Sequence, residues 1–331
     1  MLNERDLELN SAEISVIIPT WNRRDLLERC LDSLCKQTVH CTVIVVDNGS
    51  TDGTVHMVQE RFEQVECLSL KQNLGFAKAV NLGIKKTTTP YIALLNNDTQ
   101  VDPHWIEVGL GAFENYPDYW FFASRMIDLK NRSRLDSAGD CYNRTGLAYK
   151  RGFGESSEEY SKSEPVLGAS AGAAFYRKEL FTRIGLFDES YYLYLEDVDL
   201  SLRAQLHGFK CLYLPEAIAY HLEGASDPEH AESETRSPGR GFYSRNRVFW
   251  ITRNRWQLMV TYQPLGHVPW LFYGWLRSFA FHLLKAGHFA AFLRGLGAGV
   301  LMTLHDLRKR RELNHSRVLN NEELCHLLRR C

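Results

Sequence analysis

The chain has 331 residues, of which 44% are hydrophobic and 24% are charged, and its formal net charge is −1. This composition is typical of a folded globular protein and excludes disorder across most of the chain. The length fits one large domain with an appendage, or two domains.

The charge is distributed unevenly along the chain. From residue 241 to residue 331 there are 14 Lys and Arg but only 4 Asp and Glu, whereas the first 240 residues contain 25 and 36 respectively. A basic carboxy-terminal region on an acidic body indicates an anionic partner for that region, either a membrane surface or a nucleic acid. The alternative is a helical face that carries its charges in solvent.

Short apolar segments alternate with segments of helical periodicity over the first 95 residues. The pattern predicts four strands with three helices between them, over residues 14–19, 25–35, 42–46, 54–62, 65–70, 73–85 and 91–95. Apolar strands joined by helical crossovers predict a parallel sheet covered on both faces, as in doubly wound α/β domains. The ligand of such a sheet lies beyond the carboxyl ends of its strands.

The pattern changes in the second half of the chain. Residues 128–165 are polar and predict an excursion of loops and short strands. Regular structure returns after this excursion and includes a helix that ends at Gly208. The further predictions are structured segments at 166–176, 200–207 and 209–214, and a loop at 227–240.

Aromatic and aliphatic clusters separated by single basic residues fill the region from 241 to about 311, as in WLFYGWLRSFAFHLLKAG. Trp and Tyr beside Arg and Lys are typical of helices at a membrane surface, and the abundant Leu, Phe and Trp favour lipid over nucleic acid. Helices packed on the main domain are the alternative. No 18-residue window is both uncharged and strongly apolar, so no spanning helix is predicted.

The eight cysteines include no Cys-x-x-Cys pair and no zinc-binding spacing. The first ten residues, MLNERDLELN, are polar and acidic and do not resemble a secretory signal. We therefore expect reduced thiols in a cytoplasmic protein.

The strand predicted at 91–95 runs directly into Asn96-Asn97-Asp98. One carboxylate and two amide oxygens at a strand end suit a hard cation such as Mg²⁺ or Mn²⁺, although the same residues also make a good turn or helix cap. His221 follows the strand predicted at 209–214 and is a second candidate ligand, better suited to Mn²⁺. A structural role is the alternative for His221.

Glu196 and Asp197 follow the aromatic run YYLYL and precede a predicted helix. Burial among aromatic side chains adapts a carboxylate to general-base catalysis. The alternative is that both are acids in a first helical turn, where the helix dipole stabilises them.

Six motifs in order carry a resemblance to a known family. They are ISVIIPTWNRRDLLERCLDSL, VVDNGSTDGT, NLGFAKAVNLGI, LLNNDT, LGASAGAAFYRKELFTRIGLFDESYYLYLEDVDLSLRAQLHGF and YLPEAIAYHLEGAS. Over about residues 13–250 the chain resembles the family 2 glycosyltransferases of the GT-A fold, and most of all their bacterial rhamnosyltransferase and galactofuranosyltransferase branch. The resemblance implies a doubly wound, mostly parallel nucleotide-diphospho-sugar transferase domain over residues 1–245. A carboxy-terminal, amphipathic and membrane-facing helical extension would then occupy residues 246–331.

The resemblance also implies the roles of individual residues. Asp197 matches the catalytic base, with Glu196 beside it. The donor nucleotide would be held by Pro19, Thr20, Asn22, Asp47, Asn73, Gly75, Asn81 and Asn97. The donor sugar and the acceptor would lie over Gly168, Ala169, Ser170 and Gly172.

Asn96-Asn97-Asp98 stands where the family has its Asp-x-Asp metal motif. Asp98 matches the last Asp, but Asn96 replaces the first carboxylate, and one negative charge fewer would weaken the site. His221 then gains importance, and we expect Asp98, Asn96 and His221 to hold Mg²⁺ or Mn²⁺.

The implied reaction is inverting transfer of a rhamnose-like or galactofuranose-like sugar from a dTDP-, UDP- or GDP-linked donor, without a covalent intermediate. The acceptor would be a hydroxyl of a glycan or lipid-linked glycan at the inner face of the plasma membrane, in cell-surface polysaccharide synthesis. A dinucleotide-dependent oxidoreductase would need Gly-x-Gly-x-x-Gly after the first strand, and a sugar-nucleotide nucleotidyltransferase a Gly-rich basic loop there, where this chain has PTWNRR. A catalytically degenerate, membrane-associated scaffold of the same fold stays open because of Asn96.

Overall fold

The structure is a computed structural model that describes residues 12–222, 224, 244–284 and 288–328. The polar amino-terminal ten residues and the loop predicted at 227–240 lie outside the described residues. Statements about the structure below refer to the described residues.

The first third of the chain alternates strands and helices where the periodicity predicts them. The elements are β1 (Ile14–Thr20), α1 (Arg24–Leu34), β2 (Thr42–Asp47), α2 (Thr54–Arg61), β3 (Glu66–Ser69), α3 (Phe76–Lys86) and β4 (Tyr91–Leu95). The four strands stand in the order β4-β1-β2-β3 and are all parallel. Their carboxyl ends therefore meet at one edge, as the sequence predicts.

The rest of the sheet is mixed. The elements that follow along the chain are β5 (Thr99–Val101), α4 (Trp105–Asn115), β6 (Tyr119–Asp128), β7 (Leu135–Ser137), β8 (Asp140–Tyr142), β9 (Ala148–Lys150), β10 (Glu164–Val166), β11 (Ala173–Arg177), α5 (Lys178–Ile184), α6 (Glu196–Leu206) and β12 (Lys210–His221). β8 and β9 form a separate two-stranded sheet. β11 lies antiparallel between β4 and β6, and β12 pairs in parallel with β6. The excursion predicted at 128–165 is a run of short strands and loops, and Gly208 follows α6 with a φ of 82°.

Helices cover both faces of the sheet. On one face the core includes Leu27 of α1, Met57 of α2 and Trp105 of α4, all buried. On the other face it includes Val80 of α3 and Ala204 of α6. Alternate residues of β1 belong to the two cores, because successive side chains of a strand point to opposite faces.

Five helices form the carboxy-terminal part. They are α7 (Arg245–Tyr262), α8 (Val268–Leu284), α9 (Phe289–Leu301), α10 (Thr303–Ser316) and α11 (Asn321–Leu327). α9 packs closely on α7 through Gly295 and Gly299, where a Cβ would lie 2.5 Å from the Phe249 carbonyl oxygen and 2.7 Å from the Trp256 Cβ respectively. Within the described residues, no helix has the length and hydropathy needed to cross a bilayer.

The carboxy-terminal helices have two different surfaces. Leu258, Tyr262 and Leu313 join a buried cluster with Leu202 and Leu206 of α6, so α7 and α10 are packed on the sheet domain. The large apolar side chains of α8 are in contrast mostly exposed. They are Val268 (54% exposed), Trp270 (42%), Phe272 (71%), Tyr273 (54%), Leu276 (56%), Phe279 (39%), Phe281 (42%), Leu283 (53%) and Leu284 (77%).

Candidate active site

A cavity of 1560 Å³ opens at the carboxyl ends of β1, β2 and β4. Its walls come from the loops after these strands, from the start of α6, and from α7 and α8. Twelve of the predicted site residues line it. They are Pro19, Thr20, Asn73, Gly75, Asn96, Asn97, Asp98, Ser170, Gly172, Glu196, Asp197 and His221.

Five predicted residues are not among those that line the cavity: Asn22, Asp47, Asn81, Gly168 and Ala169. Asn22 has a φ of 50°, and its side-chain oxygen accepts a 2.7 Å hydrogen bond from the Thr51 backbone N–H. The buried Asp47 carboxylate accepts from the Ser50 N–H at 3.2 Å and from the Ser69 hydroxyl at 3.3 Å. Both residues therefore tie together the loops that follow β1, β2 and β3.

The structure places Asn81 and Gly168 away from their expected positions. The Asn81 amide donates to the Phe187 carbonyl oxygen at 2.9 Å and accepts from the Phe187 N–H at 3.0 Å, which holds α3 to the loop before α6. A Cβ at Gly168 would lie 2.2 Å from the Ser201 hydroxyl oxygen, and Ala169 is fully buried. The contacts of these three residues are with other parts of the protein, and their expected roles in binding the donor and acceptor stay predictions.

Asn48, which was not predicted, organises the loop that was expected to hold the diphosphate. Its side-chain nitrogen donates to Asn73 Oδ1 at 3.0 Å and to the Gly75 carbonyl at 3.1 Å, and its oxygen accepts from the Leu74 N–H at 2.8 Å. Gly75 has a φ of 87°, and a Cβ there would lie 2.5 Å from the Tyr192 ring. Only glycine fits this close contact between the two loops.

A chain of alternating charges forms one corner of the cavity. His221 Nε2 lies 3.3 Å from Asp98 Oδ1, and His221 Nδ1 lies 3.0 Å from Asp136 Oδ2. Lys150 continues the chain at 2.8 Å from Asp136. Burial alone would lower the pKa of His221, but the two carboxylates raise it to about 10. Asp136 and Lys150 were not predicted, because they lie in the irregular excursion.

The donor set of this corner is compatible with a divalent cation. Asp98 Oδ1 and His221 Nε2 are adjacent on the cavity wall, and a carboxylate holds the second nitrogen of His221, as is usual for metal-ligating histidines. Because a metal-bound imidazole nitrogen carries no proton, a cation here would displace the proton of His221 Nε2. The Asn97 amide donates to the Thr20 hydroxyl at 2.8 Å, and this hydrogen bond joins the end of β4 to β1. Among the described residues there is no group of three or more His, Cys, Asp or Glu that could hold a metal alone. A cation here would therefore need further ligand atoms, from Asn96, water or a bound diphosphate.

Glu196 and Asp197 begin α6 and face the cavity with different hydrogen bonding. Asp197 Oδ1 accepts from the Val198 N–H at 2.8 Å, and Asp197 Oδ2 accepts from the Ala171 N–H at 3.2 Å. Glu196 is 5% exposed, and its Oε2 has no hydrogen-bond partner. Burial, reinforced by Asp197, raises the pKa of Glu196 well above its ordinary value, and burial raises that of Asp197 against the opposing effect of the two N–H groups. Glu196 is therefore the neutral acid of the pair and Asp197 the carboxylate.

The loop before α6 is held in a rare backbone conformation. Tyr192, Tyr194 and Leu195 have φ values of 61°, 69° and 68°, in the left-handed region that non-glycine residues seldom adopt. The fully buried Asn254 of α7 donates to the carbonyl oxygens of Tyr191, Leu193 and Tyr194 at 2.7–3.0 Å. We call residues 188–195 the catalytic loop, and Asn254 fixes its path.

A second set of contacts holds the catalytic loop to α10. Lys309 donates to Asp188 at 2.5 Å and to Asp199 at 2.6 Å, and Asp199 also pairs with Arg203. Arg310 donates to the Val260 and Gln263 carbonyl oxygens at the end of α7. Part of the basic run HDLRKRR therefore stabilises the site from within, which the count of charges along the sequence does not reveal.

Comparison with known proteins places this site in a family. The family model of glycosyl transferase family 2 matches residues 15–185, and the chain belongs to that family. It is 28% identical over 287 residues to an N-acetylglucosaminyl-diphospho-decaprenol L-rhamnosyltransferase of Mycobacterium tuberculosis, covering 77% of this chain and 92% of that protein. It is 26% identical over 228 residues to the O-antigen biosynthesis protein RfbC of Myxococcus xanthus, covering 65% of this chain and 18% of that protein.

Solved structures confirm the fold. GalNAc-T7, solved with UDP, GalNAc and Mn²⁺, matches with a TM-score of 0.62 and 14% identity over 89% of this chain and 58% of that chain. S. aureus TarS 1-349, solved with UDP, matches with a TM-score of 0.56 and 18% identity over 96% of this chain and 89% of that chain. The predicted GT-A fold is therefore confirmed, and the enzyme is a glycosyltransferase of family 2.

Proposed function

We propose that the enzyme transfers a rhamnose-like or galactofuranose-like sugar, with inversion, from a nucleotide-diphosphate donor to a hydroxyl of a glycan or lipid-linked glycan. One observation carries the proposal: Asp98 and His221 line the same cavity as Asp197. One cavity can therefore hold both the leaving diphosphate and the attacking hydroxyl. The M. tuberculosis relative, a rhamnosyltransferase named for a lipid-diphosphate-linked sugar, supports a sugar of this kind and a role in cell-surface polysaccharide synthesis.

In this proposal Asp197 is the general base. Its carboxylate takes the proton of the acceptor hydroxyl as that oxygen attacks the anomeric carbon from the face opposite the diphosphate. The Ala171 and Val198 N–H groups orient the carboxylate toward the cavity. Neutral Glu196 beside it adds no second negative charge, which favours the ionised form of Asp197.

We also propose that Asp98, His221 and Asn96 hold Mg²⁺ or Mn²⁺ together with the donor diphosphate. A divalent cation supplies charge stabilisation at the departing diphosphate when it is bound. Asp136 and Lys150 fix the ring of His221 through the Asp136 carboxylate. Pro19, Thr20, Asn73 and Gly75 line the cavity beside this corner and are the proposed contacts to a dTDP, UDP or GDP moiety.

The proposed division of the chain is functional rather than a boundary between independent folding units. Residues 1–245 would carry the donor and the chemistry, and residues 246–331 would lie on the inner face of the plasma membrane. The exposed apolar side chains of α8, together with exposed basic residues such as Arg277 and Arg308, support contact with an anionic lipid surface.

The first experiment is a thermal-shift titration with dTDP, UDP, GDP and NAD, each with and without Mn²⁺. A ligand that binds the folded state raises its stability by RT ln(1 + [L]/Kd), so one nucleoside diphosphate should raise the Tm in a metal-dependent way. If no diphosphate shifts the Tm under either condition, the degenerate-scaffold alternative gains, and Asn96→Asp becomes the first variant to make.

The chemistry is tested with Asp197→Asn. Loss of a general base costs about 10²–10⁴-fold in rate, so transfer should fall by that factor while the nucleotide-induced Tm shift is retained. Asp102→Asn is a suitable control, because Asp102 lies on the loop after β5 and does not line the cavity. A rate for Asp197→Asn close to that of wild type would show that another group is the base.

A further inference from the structure

The cavity extends beyond the donor corner to a wall built by α7 and α8. Arg255 of α7 is 5% exposed, and its guanidinium donates hydrogen bonds to neutral groups. It donates to the Gly146 carbonyl at 2.8 Å, to the Thr145 carbonyl at 3.0 Å and to the Ser278 hydroxyl at 2.5 Å. No salt bridge to Arg255 is found among the described residues, and its guanidinium carbon lies 4.4 Å from the centre of the Trp275 ring. A buried cation without a counter-ion is costly.

Two further cationic or protonatable groups stand beside Arg255 on the same wall. Arg277 of α8 is exposed, and its charge contributes to lowering the pKa of Arg255, after the larger effect of burial. His282, one turn further along α8, has a buried Nδ1 without a hydrogen-bond partner. All three residues line the cavity, and none of them has a carboxylate partner among the described residues.

The same wall continues into the exposed apolar surface of α8. Phe281 and Leu284 line the cavity and are 42% and 77% exposed. The cavity thus brings together the carboxylate of Asp197, two arginines with a histidine, and an apolar helix face. These three chemical environments match the three parts of one molecule: a sugar hydroxyl, a diphosphate and a lipid chain.

We propose that Arg255, Arg277 and His282 form the acceptor-side anion site, which binds the diphosphate of a lipid-diphosphate-linked sugar while its lipid chain lies along α8. This inference rests on the proposed function and adds the acceptor class and the residues that recognise it. Arg255 is the fixed, buried element of the site. Arg277 is the element that can be removed without loss of packing.

The test compares two acceptors that differ only in the diphosphate. One is N-acetylglucosamine linked to farnesyl diphosphate, the other is farnesyl N-acetylglucosaminide, and both are presented in neutral detergent without phospholipid. Arg277→Ala should raise the KM for the diphosphate acceptor by roughly 10–100-fold, because a charge-assisted contact is lost, and leave the KM for the farnesyl glycoside within about twofold. Arg294→Ala is the matched control, since Arg294 is an exposed arginine of α9 that does not line the cavity.

The outcomes separate the two levels of the proposal. Equal effects of Arg277→Ala on both acceptors, or none on either, would overturn the anion site and leave the transferase standing. Weaker binding to phosphatidylglycerol vesicles with an unchanged KM for the diphosphate acceptor would identify a lipid headgroup as the anion and would also overturn it. Absence of transfer to both acceptors by the wild-type enzyme, together with no Tm shift by any nucleoside diphosphate, would refute the proposed function itself.

Discussion

Glu196 and Asp197 are neighbours in sequence, but their carboxyl groups differ in hydrogen bonding and in burial. Backbone N–H groups bond both oxygens of Asp197, whereas Oε2 of the more deeply buried Glu196 has no partner. A proton shared between them therefore stays on Glu196. Because the pKa of Asp197 is raised and its ionised form is the proposed base, kcat/KM should rise with pH and be lost on the acidic side, at a pH above the ordinary Asp value of 3.8.

Replacing Glu196 by Gln tests this assignment. Gln resembles the neutral acid, so transfer should stay within about tenfold of wild type, in contrast to Asp197→Asn. The free energy of unfolding gives an independent measure. The folded pKa of Glu196 lies above its ordinary value of 4.5, so the wild type loses stability as pH rises above that value, while the variant does not.

The stability difference between Glu196→Gln and wild type should widen with pH by up to about 1.4 kcal/mol per unit, until the folded pKa is passed. Denaturant unfolding at pH 5 and pH 8 measures it. A constant difference across this range would mean that Glu196 is ionised in the folded enzyme.

Which individual residues meet at the site was only partly predictable. Asp98, His221 and Asp197 stand in recognisable motifs, and the structure brings all three to one cavity. The positions of Asp136 and Lys150 depend on pairing of short strands in an irregular segment, which periodicity does not encode. Asn81 was expected at the diphosphate because of its motif, but both polar atoms of its side-chain amide form hydrogen bonds with the Phe187 backbone.

The catalytic loop is the element whose conformation depends most on distant parts of the chain. Three of its residues are in the left-handed region, and such strain persists only where surrounding contacts impose it. Asn254 supplies those contacts through the carbonyl groups of Tyr191, Leu193 and Tyr194. In the proposed mechanism it is therefore a positioning residue for Asp197, with which it forms no hydrogen bond.

Asn254→Ala should displace Asp197 without weakening the binding of the donor. Loss of a buried amide that serves three carbonyls costs about 1–3 kcal/mol of stability, and a small displacement of the base lowers kcat by about tenfold or more. The KM for the donor should not change. Asn314→Ala, an exposed Asn on α10, is the control; a matching fall in kcat there, or an unchanged kcat in Asn254→Ala, would contradict this role.

At the level of elements, the secondary-structure predictions were most accurate where burial gives the sequence a regular hydrophobic period. The four parallel strands and three helices of the first third lie within a few residues of their predicted bounds. No strand or helix was predicted for residues 96–127, yet they contain β5, α4 and most of β6, and β6 is central in the second half of the sheet. The strand YWFFASRMID begins with a continuous apolar run, and periodicity alone does not distinguish such a run from a buried helical segment.

For the whole molecule, the basic residues of the carboxy-terminal region fall into two groups, one that makes contacts inside the protein and one that is exposed. Lys309 and Arg310 point inward and hold the catalytic loop and α7, so they are unavailable to a lipid surface. Arg277 and Arg308 are exposed. Truncating the chain before α7 would remove Asn254 and Lys309 together, and point substitutions are therefore the better probe of membrane contact.

Phe272→Asp combined with Leu276→Asp should abolish most sedimentation with phosphatidylglycerol vesicles. Both side chains are exposed on α8, so the two carboxylates leave the packing of the folded monomer intact. At a membrane surface the same carboxylates oppose insertion and carry a large free-energy cost. Val318→Asp, also exposed but beyond α10, is the control and should sediment like wild type. Equal sedimentation of all three proteins would remove α8 from the membrane contact.

The bond between Lys309 and Asp188 has a consequence for the timing of synthesis. The two residues are 121 positions apart, and Lys309 is the later one. Domains generally fold from the amino terminus while the chain is still emerging from the ribosome, so the sheet can form before α10 exists. The catalytic loop, which precedes the proposed base, is then not held by Lys309 until the helices proposed to face the membrane are complete. A nascent chain could bind nucleotide early, but it would acquire its transfer chemistry only after the part that meets the lipid-linked acceptor has been made.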